Sequence, residues 1–265
     1  MVGFLGKLLG RSNTEDAAPA FAAPLAPSEP LCIIGDVHGC DTLLSRMLDH
    51  LDGRDEVARV VCVGDYIDRG EQSRAVLDLL RPRDDGDRFT CLQGNHEEAM
   101  LDFIADPDGH GRRWLRFGGL QTLASYGIGG LSEQSTGDAV TEAAAALADA
   151  LGPDMMNWLR AMPLWTTSGN LGIVHAAADP TKPLEDQSGH ALKWGHRDFP
   201  DTMREDGLWI AHGHTIIPEA RAAGGIISVD TGAYATGRLS GIIAYPDGRT
   251  ETVVATYQGV SCGYP

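Results

Sequence analysis

Three apolar runs at nearly even intervals each end in a short glycine-led motif, and this repetition restricts the chain to few folds. Leu31-Cys32-Ile33-Ile34 runs into GDVHG (Gly35 to Gly39), and Val60-Val61-Cys62-Val63 runs into GDYIDRG (Gly64 to Gly70). Phe89-Thr90-Cys91-Leu92-Gln93 runs into GNHE (Gly94 to Glu97). Each run has the length and content of a short buried strand, and the glycine that closes it permits a sharp turn. A helical pattern follows every motif: Leu44, Met47, Leu48 and Leu51 after the first, Val76, Leu77, Leu79 and Leu80 after the second, Met100, Leu101 and Ile104 after the third. Asp41 is placed to cap the first helix. Repeated βα units require a largely parallel sheet with crossover helices, and the motifs then meet at the carboxyl ends of neighbouring strands, where open α/β sheets bind ligands.

The rest of the chain changes pattern twice. Residues 105–165 are rich in Gly, Ala and polar side chains, with helical stretches around Val140 to Leu151 and Trp158 to Met162, which predicts a small helical cap inserted beside the site. From Leu164 strands return, at about 164–168, 171–175, 208–212, 226–230, 240–245 and 250–257. The last three, with their Gly and Pro-Asp-Gly turns, predict an antiparallel meander. The fold class expected is α/β, with two mixed sheets packed face to face and helices outside. Residues 31–265 form the single domain of this reading. Residues 1–30 read as a flexible tail, because a short amphipathic start carrying Lys7 and Arg11 gives way to an Ala/Pro-rich linker from Ala17 to Pro30.

The chain of 265 residues has a formal net charge of -16 and no apolar run of transmembrane length. Such a field disfavours nucleic acid and anionic lipid as partners, so positive potential for a phosphate must be local. The five cysteines are odd in number and contain no CxxC pair; three lie inside predicted strands as small buried hydrophobes. This usage suits a reducing cytoplasm. The composition leaves the oligomeric state open.

The motif residues are ligands for hard or borderline cations. Asp36 and His38, one residue apart at a strand end, can face one ion. Asp65, at the end of the next strand, is placed to bridge two ions, and Asn95 offers a neutral oxygen to the second. His175 ends the run Leu171-Gly172-Ile173-Val174, and His214 follows Leu208-Trp209-Ile210-Ala211-His212-Gly213. A single strand-end histidine is ordinarily structural; six ligand-type residues in the same setting reverse that expectation. The mixed N/O set suits Mn, Fe or Zn better than Mg or Ca, with Mn favoured. Of the remaining histidines, His212 is two residues from His214 and less well placed, and His50, His110, His190 and His196 read as surface residues. Asp230 is read as a turn residue in preference to an orienter of a ligand histidine.

The trio GDVHG, GDYIDRG and GNHE resembles the signatures of the phosphoprotein phosphatases, within the calcineurin-like metallophosphoesterase superfamily. The resemblance covers roughly residues 31–245, and Cys40, Val174-His175-Ala176, Gly213-His214-Thr215 and Asp230-Thr231-Gly232-Ala233 are similar to bacterial and phage members. It implies two metal ions, with Asp36 and His38 on the first, Asp65 bridging, and Asn95, His175 and His214 on the second. It also implies His96 as general acid, oriented by Asp68, and Arg69 as a phosphate-binding guanidinium. A second phosphate-binding arginine follows a Leu-Trp pair in the family. Lys193-Trp194-Gly195-His196-Arg197 departs from that pattern by one residue, and Arg197 is the candidate. Arg112, Arg113 and Arg116 precede Phe117-Gly118-Gly119 in the cap and read as a solvated face in preference to a second group of arginines reaching the substrate.

The implied activity is hydrolysis of phosphoserine or phosphothreonine in proteins, or of a phosphorylated small molecule, through hydroxide held between the metals. A symmetrical dinucleoside tetraphosphatase is the alternative on the same metal site. Those enzymes share GDVHGC but lack the second Asp of GDYIDRG and end the third motif in Asp, so Asp68 and Glu97 favour the phosphatase. A catalytically silent binding module would have lost a ligand or the acid, and all are present.

Overall fold

The computed structural model describes residues 21–264. The expected strand–motif–helix repeat is present: β1 (Leu31–Ile34), α1 (Asp41–Asp52), β2 (Arg59–Cys62), α2 (Ser73–Leu80), β3 (Phe89–Cys91) and α3 (Asn95–Ala105). The cap follows as α4 (Pro107–Trp114), a π-helical turn (Leu115–Gly119), α5 (Leu120–Ser125) and α6 (Asp138–Ala161). Then come β4 (Trp165–Ser168), β5 (Leu171–Val174), α7 (Gly189–Trp194), β6 (Trp209–His212), β7 (Arg221–Ala223), β8 (Ile226–Ser228), α8 (Ala233–Thr236), β9 (Arg238–Ala244), β10 (Thr250–Thr256) and β11 (Gly259–Gly263).

Two mixed sheets result, in the orders β11-β10-β9-β1-β2-β3 and β4-β5-β6-β8-β7. β1, β2 and β3 pair in parallel, and β9 joins β1 antiparallel. The apolar strands are buried on both faces, and the period of two divides their side chains between two cores. Leu31, Ile33, Val61, Val63 and Ile242 pack against Leu171, Ile173, Ala211, Ile227 and Val229 between the sheets. Cys32, Ile34 and Cys62 turn the other way, onto Leu44, Met47, Leu77 and Met100 of the helices. Each such aliphatic side chain contributes about 1.5–3 kcal/mol by leaving water. A charge anywhere on β1 therefore has no face to occupy.

Four local expectations are corrected. Cys40, not Asp41, is the cap position of α1, and it makes no side-chain cap bond; Asp41 is the first helical residue, where its charge favours the helix dipole. The two helical stretches expected in the cap are one bent helix, α6, broken at Gly152 (φ 72°) with Pro153 opening the second half. The meander is β9-β10-β11, shifted one strand along from the expected set. The residues expected to open the meander, 226–230, instead contribute β8 to the second sheet, parallel to β6 and antiparallel to β7. Hydropathy cannot assign a short apolar strand to one of two sheets that share a core.

The tail expected over residues 1–30 is met only in part, since its first twenty residues lie outside the described ones. The stretch after them lies on the second sheet: Leu25 is buried, Trp209 Nε1 donates to Ala23 O (2.9 Å), and Ala26 N donates to Asn170 Oδ1 (2.7 Å). Among the described residues no helix is long and apolar enough to cross a membrane.

Candidate metal centre

The loops after β1, β2, β3, β5 and β6 meet over the edges of both sheets and bring six predicted ligands into one buried cluster. Asp65 stands at its middle. Its Oδ1 lies 3.4 Å from His175 Nε2 and its Oδ2 lies 3.7 Å from His38 Nε2, so the two oxygens face opposite sides, as a bridging carboxylate requires. Asn95 Oδ1 is 2.9 Å from both His175 Nε2 and His214 Nδ1. Two groups of nitrogen and oxygen atoms are compact enough to hold an ion: His38, Asp65 and His96, and Asp65, His175 and His214. Asp36 stands beside these groups, with both carboxylate oxygens 3.1 Å from the His214 main-chain N–H. Nδ1–H of His38 donates to Ile67 O (2.7 Å) and that of His175 to Val63 O (3.1 Å). These bonds fix the tautomer and turn Nε2 inward.

The backbone is bent to make this approach. Among the described residues the non-glycine positions with positive φ are His38, Asp65, Asp68, Arg69 and His214, all of them in the site. Each such conformation costs of order 1–3 kcal/mol and persists only where its surroundings enforce it. Glu97 supplies part of the restraint: its carboxylate accepts the N–H groups of Asp65 (3.0 Å), Tyr66 (2.8 Å) and Gly94 (2.9 Å), tying the second motif to the third. Gly64 (φ 119°) lets the strands close up, since a Cβ there would press on Gly94 and on His175 Nδ1.

The donor set fits divalent cations. Asp36, Asp65, Asp68, Glu97 and Asp230 are buried together with a single guanidinium, Arg69, beside them. Carboxylates outnumber the cationic side chains around them here, and buried charge of this kind is ordinarily paired or coordinated to metal. Burial pushes the Asp36 carboxyl well above its usual range, with Asp230 adding like-charge repulsion. Burial also opposes ionisation of Asp65, yet His175 and His96 outweigh it and hold that carboxyl well below the usual range. Burial lifts Glu97 to about 7. It drives the His214 imidazole down to about 4 and His38 to about 3, whereas at His175 Asp65 outweighs burial and lifts the imidazole to about 9.

Beside the cluster lies a second buried pair. His96 Nδ1–H donates to Asp68 Oδ2 at 2.7 Å, which leaves Nε2 on the side of Asp65 Oδ2, 3.8 Å away. Asp68 also accepts from Trp114 Nε1 (3.0 Å) and Thr122 Oγ1 (2.6 Å), both from the cap. Burial lowers the basicity of His96, but Asp65 and Asp68 outweigh it and raise its pKa. Arg69 NH1 reaches to 3.0 Å from His38 Nε2, and its main-chain N–H donates to Gly118 O (3.3 Å). This cluster can coordinate two cations, bind an anion at a guanidinium, and deliver a proton from a carboxylate-held imidazole.

Arg197 is not brought to the cluster. Its side chain is 89% exposed and faces Asp198 at 3.4 Å, on the rim of a cavity that also borders His214. His212 is occupied elsewhere, with Ser228 Oγ at 2.8 Å from Nε2 and Gly213 O at 2.9 Å from Nδ1. Asp230 accepts the Gly232 N–H (2.7 Å) in its turn. Sequence reasoning missed Trp114 and Thr122, whose contact with Asp68 depends on how the cap folds back. The Gly118-Gly119 pair was the signal available: Gly118 (φ 108°) breaks the helix at this point, and a Cβ there would collide with Arg69.

Residues 30–231 match the calcineurin-like phosphoesterase family. The chain is 39% identical over 87 residues to serine/threonine-protein phosphatase 2 of Escherichia coli K12, covering 33% of this chain and 37% of the relative. It is 29% identical over 155 residues to a symmetrical bis(5'-nucleosyl)-tetraphosphatase of a Marinomonas species, covering 58% of this chain and 46% of the relative. These matches span less than half the length of either relative. In fold the chain resembles a cold-active protein-tyrosine phosphatase from a psychrophilic Shewanella species, with a TM-score of 0.55 at 18% identity over 84% of this chain and 80% of that one. The paired sheets, the buried Asp/His/Asn cluster at their edge and the match over most of the chain agree, and the chain belongs to the calcineurin-like phosphoesterase family.

Proposed function

We propose that this metallophosphoesterase is a phosphomonoesterase of the protein serine/threonine phosphatase type. The observation that carries the reading is the His96–Asp68 pair, 2.7 Å apart and buried beside the ligand cluster. A serine or threonine alkoxide is a poor leaving group and needs a proton as the P–O bond breaks, and a histidine held by a carboxylate supplies one. In this reading Asp36, His38, Asp65, Asn95, His175 and His214 hold two divalent cations, manganese first, with iron or zinc as the other candidates. When bound, such ions polarise the phosphoryl oxygens and lower the pKa of water toward about 7. Arg69 binds the equatorial oxygens with its planar fork and offsets charge as it spreads over them. His96 Nε2–H faces the leaving oxygen; Asp68 keeps the ring turned and stabilises the proton on it until transfer. The five free thiols suit a cytoplasmic setting.

A second reading is favoured by the longer stretch of similarity to the Marinomonas tetraphosphatase. The two are separated by supplying manganese and comparing kcat/KM on phosphoserine and phosphothreonine peptides with that on diadenosine tetraphosphate. A phosphopeptide preference of at least tenfold is expected; a preference of that size for the dinucleotide overturns the proposal.

A further inference from the structure

Beside Arg69 the rim of the metal centre opens into a hollow of about 360 Å³, walled by Arg69, Arg116, Phe117, Gly118, Gln121 and Tyr234. Its walls carry two guanidinium groups and no carboxylate, in a chain with 37 acidic and 21 basic residues. Several basic side chains elsewhere face acids: Arg54 pairs with Glu251, Arg83 with Asp52, and His196 and Arg197 with Asp179 and Asp198. Arg116 is exposed and has no ion-pair partner among the described residues. Glu71 lines a separate hollow that shares only Gln121 with this one.

The two arginines come from different elements and are held at one corner. The main-chain bond from Arg69 to Gly118 anchors the cap two residues beyond Arg116. The Tyr234 ring lies 5.1 Å from the Arg69 guanidinium carbon and 5.3 Å from the His38 ring, so it supports the arm that reaches the centre. On the other side the Phe117 ring is 6.0 Å from the His96 ring and carries the Arg113 guanidinium at 5.2 Å. The hollow thus continues from Arg69, has aromatic sides, and ends in the free charge of Arg116.

We propose that this hollow is a substrate subsite for a second anionic group beside the scissile phosphate. Resting on the phosphoprotein reading above, that anion is the carboxylate of an Asp or Glu within a residue or two of the phosphorylated serine or threonine. The guanidinium fork of Arg116 takes the carboxylate, while Arg69 serves the phosphate. Phe117 and Tyr234 flank the peptide between them. This makes the enzyme selective for acidic sequence around the phosphosite despite its own net charge.

The test uses the manganese-loaded protein, three phosphoserine peptides differing only in Asp, Ala or Lys beside the phosphoserine, and diadenosine tetraphosphate. For the wild type, kcat/KM on the Asp peptide should exceed that on the Ala peptide by roughly three- to tenfold, and the ratio should shrink as salt rises. In Arg116→Ala the ratio should fall to about one, and in Arg116→Glu the order should invert toward the Lys peptide. Arg116 is exposed, so both variants should melt with the wild type, and a thermal scan verifies that. Phosphopeptide turnover without an Asp preference, or a preference that survives Arg116→Glu, overturns the subsite alone. Cleavage of the dinucleotide with no phosphopeptide turnover overturns the phosphoprotein reading and the acidic-peptide assignment together.

Discussion

Asp68 holds three side-chain donors at once, from His96, Trp114 and Thr122, and this makes the proposed acid testable one atom at a time. His96→Asn should lower kcat on a phosphoserine peptide by about 10²–10⁴. On nitrophenyl phosphate, whose leaving group needs little protonation, the loss should be far smaller, and bound metal should be unchanged by elemental analysis. Equal losses on both substrates would remove His96 from the acid's role. Trp114→Phe keeps an aromatic ring beside Phe103, on which the indole stacks at 4.5 Å, but deletes the N–H donated to Asp68 and leaves a small void at a fully buried position. A hydrogen bond to a charged group is worth about 1.5–3 kcal/mol, so a loss of roughly tenfold or more in kcat on the peptide is expected, again with little change on nitrophenyl phosphate. A uniform loss on both substrates would mean that Trp114 serves only packing. Asp68, His96 and Arg69 could be named from GDYIDRG and GNHE because their spacing within each motif carries the chemistry. Trp114 and Thr122 lie 46 and 54 residues from Asp68, and nothing local marks them as its partners.

At the scale of elements, the cap is joined to the site through the π-helical turn. Gly118→Ala places a Cβ against Arg69 and forces a side chain into φ 108°, so stability should fall by about 1–3 kcal/mol. Activity should fall with it, because the same turn holds Arg69 and Trp114. Calorimetry with kinetics checks this, and full activity in a destabilised variant would separate the cap from the site. A second junction ties α1 to the meander: the loop residue Arg54 grips Glu251 of β10 at 2.8 Å through its two terminal guanidinium nitrogens. Hydrogen bonding to Arg54 holds the Glu251 carboxyl at about 2, below the usual 4.5. The folded state thus ionises Glu251 more readily than the unfolded chain does. Its stabilisation is complete above pH 4.5 and is lost as pH falls toward 2. Melting temperatures of wild type and Glu251→Gln should differ at pH 7 and converge near pH 2; a constant gap would exclude this linkage. The meander itself was legible from its turns, but its membership was not, since β8 and β9 are similar apolar runs that settle in different sheets.

For the whole molecule, the metal centre sits where both sheets end, so ligand binding and folding are linked. Occupancy of the cluster should raise stability by mass action, about 2.7 kcal/mol at a hundredfold excess over Kd. Chelation should lower the melting temperature by several degrees and manganese should restore it, with a smaller shift in Asp65→Asn. A melting temperature indifferent to manganese would argue against a site formed by the fold. The sequence by itself determined the βα repeat, the two-core burial of its strands and which six ligand-type side chains gather at one place. All of these follow from short-range pattern: apolar period, glycine-led turns, and ligand-type residues at strand ends. Only the tertiary structure decided which sheet each late strand joins, that the stretch just before β1 packs on the second sheet, and that Arg197 faces solvent. It alone brought the cap's Trp114 and Thr122 to Asp68 and set Arg116 beside Arg69. Those are contacts between segments far apart in the chain, fixed by how helices and sheets pack, and a pattern read along one strand or helix carries no record of them.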